Sequence, residues 1–163
     1  METPSESGPY QTLFVFLAGL EAGMLGALAM LAWLGVTAML LRRTFWMPAN
    51  LMASVFYGSS AIINAFGRWT PSGVALYLVV YSLLGALFAL AVQNRLPRFR
   101  LTLVSVLFAV CWYYLSFHVV WPAVAPLLAR LHVEGTTLWG HVIYGAMLGQ
   151  YPACLSGGPE PKP

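Results

Sequence analysis

Long apolar runs separated by short polar segments make up most of this chain. The runs cover residues 12–42, 73–94, 101–121 and 137–155. Each is close to the length of about 20 apolar residues that an α-helix needs to cross a bilayer, and the first is longer. Pro71 precedes the second run and Pro122 follows the third, as expected where helices begin and end. The pattern therefore predicts four membrane-spanning helices.

The segment 44–69, between the first two runs, is long enough to cross a membrane but is more polar. Its apolar character is diluted by Pro48, Asn50, Ser54, Gly58, Ser59, Ser60 and Asn64. Hydrocarbon tolerates unpaired polar groups poorly, which favours an interfacial or re-entrant segment. The positive-inside rule favours the alternative of five spans, because a fifth crossing divides the basic side chains six to two between the membrane faces instead of four to four.

The composition also indicates a membrane protein. Hydrophobic residues make up 60% of the 163 residues and charged residues 8%, whereas soluble domains carry about 25% charged residues. The net charge of +3 does not indicate a nucleic-acid partner, because the basic residues flank the apolar runs instead of forming one basic face. The expected partners are the lipid bilayer and other membrane subunits or a second copy of the chain.

An internal repeat relates the two halves of the chain. The first and third runs both end near a Trp followed by a Pro, in "RRTFWMP" and "FHVVWP". The later runs then align Tyr81 with His141 and Gly85 with Gly145, and tandem repeats of this kind occur in some transporters. We therefore predict an all-α fold: a four-helix integral membrane bundle of two tandem helix pairs, in a single domain with a disordered tail at 156–163.

Glycines in the first and fourth runs predict close helix packing. Gly19, Gly23 and Gly26 lie on one stripe of the first helix, and Gly145 and Gly149 repeat the spacing in the fourth. Small residues four apart let two helix backbones approach closely in lipid. We predict that these glycines are helix-packing sites, within the chain or, alternatively, in a dimer.

Glu21 is the ionisable residue in the middle of the first apolar run. It lies about 200° around the helix from Gly19, so it does not face the glycine stripe. A charge at bilayer depth costs at least about 2.5–3.5 kcal/mol. Glu21 is therefore a candidate proton or ion site; alternatively, it lies near a headgroup layer or bonds to a neighbouring side chain.

Two histidines are candidates for a haem or polar site. His118 and His141 are expected at similar depth near one membrane face, with Tyr114 one turn before the first and Tyr144 beside the second. Axial imidazoles from neighbouring helices are the ligands of a b-type haem, although interfacial histidines commonly form only hydrogen bonds. The aromatic stretch "CWYYLSFHVVW" is a candidate quinone pocket. The prediction is no resident cofactor or metal, with haem b or quinone as the alternative.

Several catalytic signatures are absent from the sequence. There is no Gly-rich phosphate loop, no G-x-S-x-G and no H-E-x-x-H. Asp does not occur, and the acids outside the tails are Glu21 and Glu134. A catalytic pair of carboxylates is therefore not evident, which favours a function other than catalysis unless an exogenous cofactor is bound.

Three stretches, "GLEAGMLGALAMLAW", "RRTFWMPANLM" and "HVIYGAMLG", extend from the first apolar run to the last. They resemble a group of small uncharacterised bacterial multi-pass membrane proteins with a Gly-rich first helix, a W-x-P-type connector and a late H-x-x-Y-G helix. The resemblance implies a fold and a place in the bacterial inner membrane, and no catalytic activity.

These observations lead to three functional hypotheses. The first is an accessory subunit that packs within a larger membrane assembly. The second is a small proton- or cation-coupled transporter or channel that uses Glu21 between its two repeats. The third is a haem- or quinone-binding redox protein that uses His118 and His141. The Arg-rich loop at 95–100 favours both termini in the cytoplasm.

Overall fold

The computed structural model describes residues 9–92 and 96–156, and within these ranges the chain is helical with no strand. The helices are α1 Pro9–Leu40, α2 Met47–Tyr57, α3 Thr70–Val92, α4 Arg98–Leu115, α5 Trp121–Val124, α6 Pro126–Leu131, α7 Glu134–Leu148 and α8 Tyr151–Ser156. A 3₁₀ turn, Gly58–Ala61, follows α2, and a π turn, Ser116–Val120, joins α4 to α5. The all-helical prediction is confirmed. The predicted tail, apart from Ser156, lies outside the described residues.

Three helical stretches of the described chain are long and apolar enough to cross a membrane: Tyr10–Leu40, Thr70–Val92 and Arg98–Val124. They correspond to the first three predicted spans, 12–42, 73–94 and 101–121. Their length and composition suit a membrane protein.

The fourth predicted span, 137–155, is divided between two helices. The 15 residues of α7 cover about 22 Å, less than the hydrocarbon thickness of about 30 Å. A turn at Gly149 and Gln150 separates α7 from α8. Pro152, in the first turn of α8, has no N–H with which to continue α7. This segment is therefore not one continuous spanning helix.

The segment 44–69 folds back on itself. Its helix α2 has 11 residues, about 16 Å, which is too short to cross a bilayer as a helix. Buried Asn50 donates hydrogen bonds to the carbonyls of Ile63 (2.8 Å) and Ala65 (3.0 Å) and accepts one from the Thr70 hydroxyl (2.6 Å). Asn50 thus provides hydrogen-bond partners for backbone carbonyls of the loop that connects α2 to α3.

Close backbone contacts join α1 to α3. A Cβ atom added at Gly19 would lie 2.8 Å from the Cα of Ala86, and one at Gly23 would lie 2.7 Å from the carbonyl oxygen of Tyr81. Gly85 contacts both α1 glycines, since its Cβ would lie 2.5 Å from the Gly19 oxygen and 2.7 Å from the Gly23 Cα. Dispersion contact of this kind is available only where side chains are absent.

Helix α7 packs on α4 in a corresponding way. A Cβ at Gly145 would lie 2.6 Å from the Cα of Val106, and one at Gly149 would lie 2.9 Å from the Cα of Thr102. The Ser105 hydroxyl donates to the Gly145 carbonyl at 2.7 Å. Because α7 also contacts α1, the pairs α1/α3 and α4/α7 pack side by side, and side chains of both pairs meet between them.

Candidate functional site

His141 lies in the middle of α7 and is fully buried between the two helix pairs. Its Nδ1 is 2.8 Å from the carbonyl oxygen of Thr137, and its Nε2 is 2.9 Å from the hydroxyl of Tyr81 in α3. A carbonyl oxygen can only accept, so Nδ1 carries the ring proton. Nε2 therefore accepts a hydrogen bond from Tyr81, and both nitrogens of a neutral imidazole are satisfied.

Tyr144, one turn after His141, also links α7 to α3. Its hydroxyl donates to the backbone carbonyl of Tyr81 at 2.7 Å, and its ring meets that of Tyr81 edge-to-face at 5.0 Å. The ring also fills the space at Gly26, where a Cβ would come within 2.9 Å of it. The glycine of α1 thus makes room for a tyrosine of α7, and three helices meet at this point.

Tyr77, one turn before Tyr81, completes the buried cluster. The two rings stack with centroids 4.7 Å apart. Tyr77 is 5% exposed, and its hydroxyl interacts with the hydroxyl of Tyr81.

A pocket of about 70 Å³ adjoins this cluster between α1, α2, α3, α6 and α7. Its lining includes the buried Tyr77 and Tyr81 and the exposed Arg43. Most of its wall is apolar, including Met30, Leu34, Met47, Leu51, Met52 and Leu128. The arrangement is a small, mostly apolar cavity whose polar lining includes Tyr77, Tyr81 and Thr137.

His118 and Tyr114 lie elsewhere. Both side chains are exposed on the outside of the molecule, and Nδ1 of His118 is 3.1 Å from the Tyr114 carbonyl oxygen. His141 is buried, with both nitrogens engaged. The two imidazoles therefore do not face a common space, and the structure does not bring them together in the way that a shared haem requires.

Glu21 is on the outward surface of α1. Within the described residues its carboxylate forms no hydrogen bond or ion pair, although the Cys154 thiol in α8 is close enough to interact with it electrostatically. The transporter hypothesis needs Glu21 between the repeats. The structure places it on the side of α1 that does not contact α3 or α7, near Cys154 of α8.

The model of DUF6789, a family of unknown function, matches residues 14–162. The chain belongs to this family. No curated protein and no solved structure matches it. In this DUF6789 chain the matched range contains the Tyr–His cluster, the pocket and Glu21.

Sequence reasoning did not identify Tyr77 and Tyr81 as site residues in this DUF6789 protein. A signal was present, because Tyr77 and Tyr81 are four residues apart on one face of a mostly aliphatic helix. The internal repeat also aligned Tyr81 with His141. The pattern could not show that these two positions face each other between the α1/α3 and α4/α7 helix pairs.

Proposed function

We propose that this DUF6789 protein is a multi-pass integral membrane protein that serves as an accessory subunit of a larger membrane assembly. It docks there through the outward surface of α1 around Glu21. The observation that carries this proposal is an exposed carboxylate within an otherwise apolar helix face.

The outward face of α1 has the spacing of a helix-packing surface. Leu17, Glu21, Met24 and Leu28 follow one another at intervals of four, three and four residues. The three apolar members are 43–48% exposed. A 4-3-4 spacing is the pattern by which one helix inserts its side chains between those of another. This face suits a partner helix.

The depth of Glu21 supports a protein partner over plain lipid. Gly19 and Gly23, on either side of Glu21, pack against α3 between Tyr81 and Ala89. When α3 spans the bilayer, Glu21 lies about one turn, or 6 Å, from the level of the middle of α3. This distance is well below half the thickness of the hydrocarbon layer, about 15 Å. A partner helix that offers a cationic or hydroxyl donor would relieve the cost of a carboxylate at that depth.

The proposed topology has four crossings, with α7 and α8 together forming the last one. It places both termini in the cytoplasm of a bacterial cell and the loop before α4 on the same side. The Arg-rich stretch at 95–100 supports this orientation.

Cysteine labelling tests the topology. In a chain whose two native cysteines are replaced by Ser, we expect Phe99→Cys to be protected from a membrane-impermeant thiol reagent added to intact cells. We expect Gly135→Cys, at the opposite end of the bundle, to be labelled. Both positions are exposed in the structure. The reverse result would invert the topology, and labelling of both positions would contradict four crossings.

Site-specific photo-crosslinking tests the docking surface. With p-benzoylphenylalanine in place of Met24 or Leu28, irradiation of native membranes is expected to give one discrete heteromeric adduct. Glu21→Leu should reduce its yield about tenfold, since charge-assisted hydrogen bonds contribute about 1.5–3 kcal/mol. Glu21→Gln, which keeps an acceptor oxygen, should reduce the yield less.

Leu107 is the matched control, because it is equally apolar and 62% exposed but lies on α4. The proposal fails if Leu107 gives the same adduct or if the yield does not depend on Glu21. An adduct with the mass of two copies of this chain would show self-association and would exclude the accessory role.

A further inference from the structure

We propose that the end of the bundle where α1 finishes binds the phosphate group of an anionic phospholipid through Arg42, Arg43 and Arg130. Leu40, the last residue of α1, is about 28 Å along the helix from Glu21, so this site is separate from the docking surface. It needs no partner protein, although it rests on the proposed place of the chain in a membrane.

The three arginines come to this end from two distant parts of the chain. Arg42 and Arg43 directly follow α1, and Arg130 lies in the last turn of α6. The guanidinium of Arg43 donates to the carbonyl of Leu131 at 3.4 Å, which brings the end of α1 beside the end of α6. All three arginine side chains are exposed. The fold therefore places two separate basic positions of the sequence at one end of the bundle.

The protein itself leaves most of these donors free. Within the described residues none of the three arginines forms an ion pair, and their side chains make one hydrogen bond, from Arg43 to Leu131. A guanidinium carries five N–H groups in a planar fork that matches the oxygens of a phosphate. The free donors thus suit a phosphate ligand.

The backbone at Arg42 also indicates a use for its side chain. Arg42 has a φ of 58°, in the left-handed region. Glycine usually occupies this position after a helix, because it adopts that conformation without strain. An arginine here costs strain that glycine would avoid, which favours a role for the guanidinium beyond ending α1.

Aromatic side chains place this end of the bundle at the level of the lipid headgroups. Trp46 immediately precedes α2, and Trp69 immediately precedes α3. Tryptophan is enriched at the interfaces of membranes, where its ring lies at headgroup depth. Arg68 is already engaged, since its guanidinium carbon lies 4.2 Å from the centroid of the Trp69 ring. The three free arginines therefore lie at the depth of lipid phosphates.

The neighbouring surface of α1 suits acyl chains. Val36, Met39 and Leu40, in the last turns before the arginines, are 51–78% exposed. A lipid whose phosphate is bound by Arg42 and Arg43 can lay its chains along this apolar surface. A soluble phosphate ester would make the same charged contacts and would lack the apolar ones. The combination favours a phospholipid as the occupant.

Native mass spectrometry of the purified full chain tests this site. The chain is titrated in mild detergent with phosphatidylglycerol or with phosphatidylcholine of the same acyl chains. We expect one phosphatidylglycerol per chain to bind more tightly than phosphatidylcholine. Arg43→Gln and Arg130→Gln should each weaken phosphatidylglycerol binding about fivefold, as expected for one arginine near an anionic lipid surface. Soluble glycerol 3-phosphate should displace the lipid poorly.

Arg100→Gln is the matched control, because Arg100 is also exposed but lies on α4 at the opposite end of the bundle. It removes the same charge and should leave phosphatidylglycerol binding unchanged. The unfolding temperature of each variant verifies that it is folded.

Four results would overturn the lipid site. They are equal binding of the two lipids, parent-like binding of phosphatidylglycerol by both Arg43→Gln and Arg130→Gln, an equal loss in Arg100→Gln, and ready displacement by glycerol 3-phosphate, which would show a site for soluble phosphate esters. A chain that is monodisperse without any detergent would overturn the membrane location as well, whereas loss of the lipid preference alone would leave that location unaffected.

Discussion

Gly85→Leu is expected to abolish the folded state in detergent. Even a Cβ at this position would lie 2.5 Å from the Gly19 oxygen and 2.7 Å from the Gly23 Cα, both of which are backbone atoms. Helices α1 and α3 would have to separate and lose the contact that holds them together in lipid. Overpacking costs about 1–3 kcal/mol where neighbouring side chains can move aside. The backbone atoms at this position cannot move aside, so the cost is expected to be larger. Size-exclusion chromatography and thermal unfolding measure the loss.

Gly135→Leu is the control for this substitution. Gly135 is also helical, but a Cβ there meets no atom within 4 Å. The variant should be monodisperse, with an unfolding temperature close to that of the parent. If Gly85→Leu behaves in the same way, the close contact between α1 and α3 is not what stabilises the protein.

Tyr81→Phe is expected to lower the free energy of unfolding by about 1–3 kcal/mol, the usual cost of a buried polar atom left without a partner. The substitution removes the hydroxyl that Nε2 of His141 accepts from at 2.9 Å and leaves this nitrogen fully buried. The hydrogen bond from Tyr144 to the Tyr81 backbone carbonyl is kept, so the helices should stay in place. Thermal unfolding in one detergent checks the loss.

Tyr77→Phe gives the matched comparison one turn away. Its hydroxyl interacts with that of Tyr81 and not with His141, so its removal should lower the unfolding temperature less than Tyr81→Phe does. Equal destabilisation by the two substitutions would mean that the hydrogen bond to His141 is not what makes the Tyr81 hydroxyl stabilising.

Local patterns were sufficient for the parts of the fold that depend on one helix at a time. The length of an apolar run predicts whether a helix can span, and the first three runs form helices of that kind. The polarity of a segment was a less reliable guide where its polar residues form buried hydrogen bonds. Asn50 contributed to the interfacial interpretation of 44–69, yet it is buried and bonded to the loop after α2.

The candidate site depended on contacts between distant parts of the chain. Tyr81 and His141 are 60 residues apart in sequence, and their hydrogen bond exists because both helix pairs present one face to a common junction. The alternative of a haem between His118 and His141 depended on helix rotation, which the sequence does not give and which places His141 inside and His118 outside.

The sequence by itself determined the all-helical class, the apolar composition suited to a bilayer and the positions where two backbones can come close, because these depend on side-chain size and polarity along single helices. Only the tertiary structure decided that Glu21 faces outward and that the Tyr81 hydroxyl meets the buried imidazole of His141. The physical reason is that burial and hydrogen bonding depend on which helix lies opposite a residue, and the packing of α1 against α3 and α7 determines that.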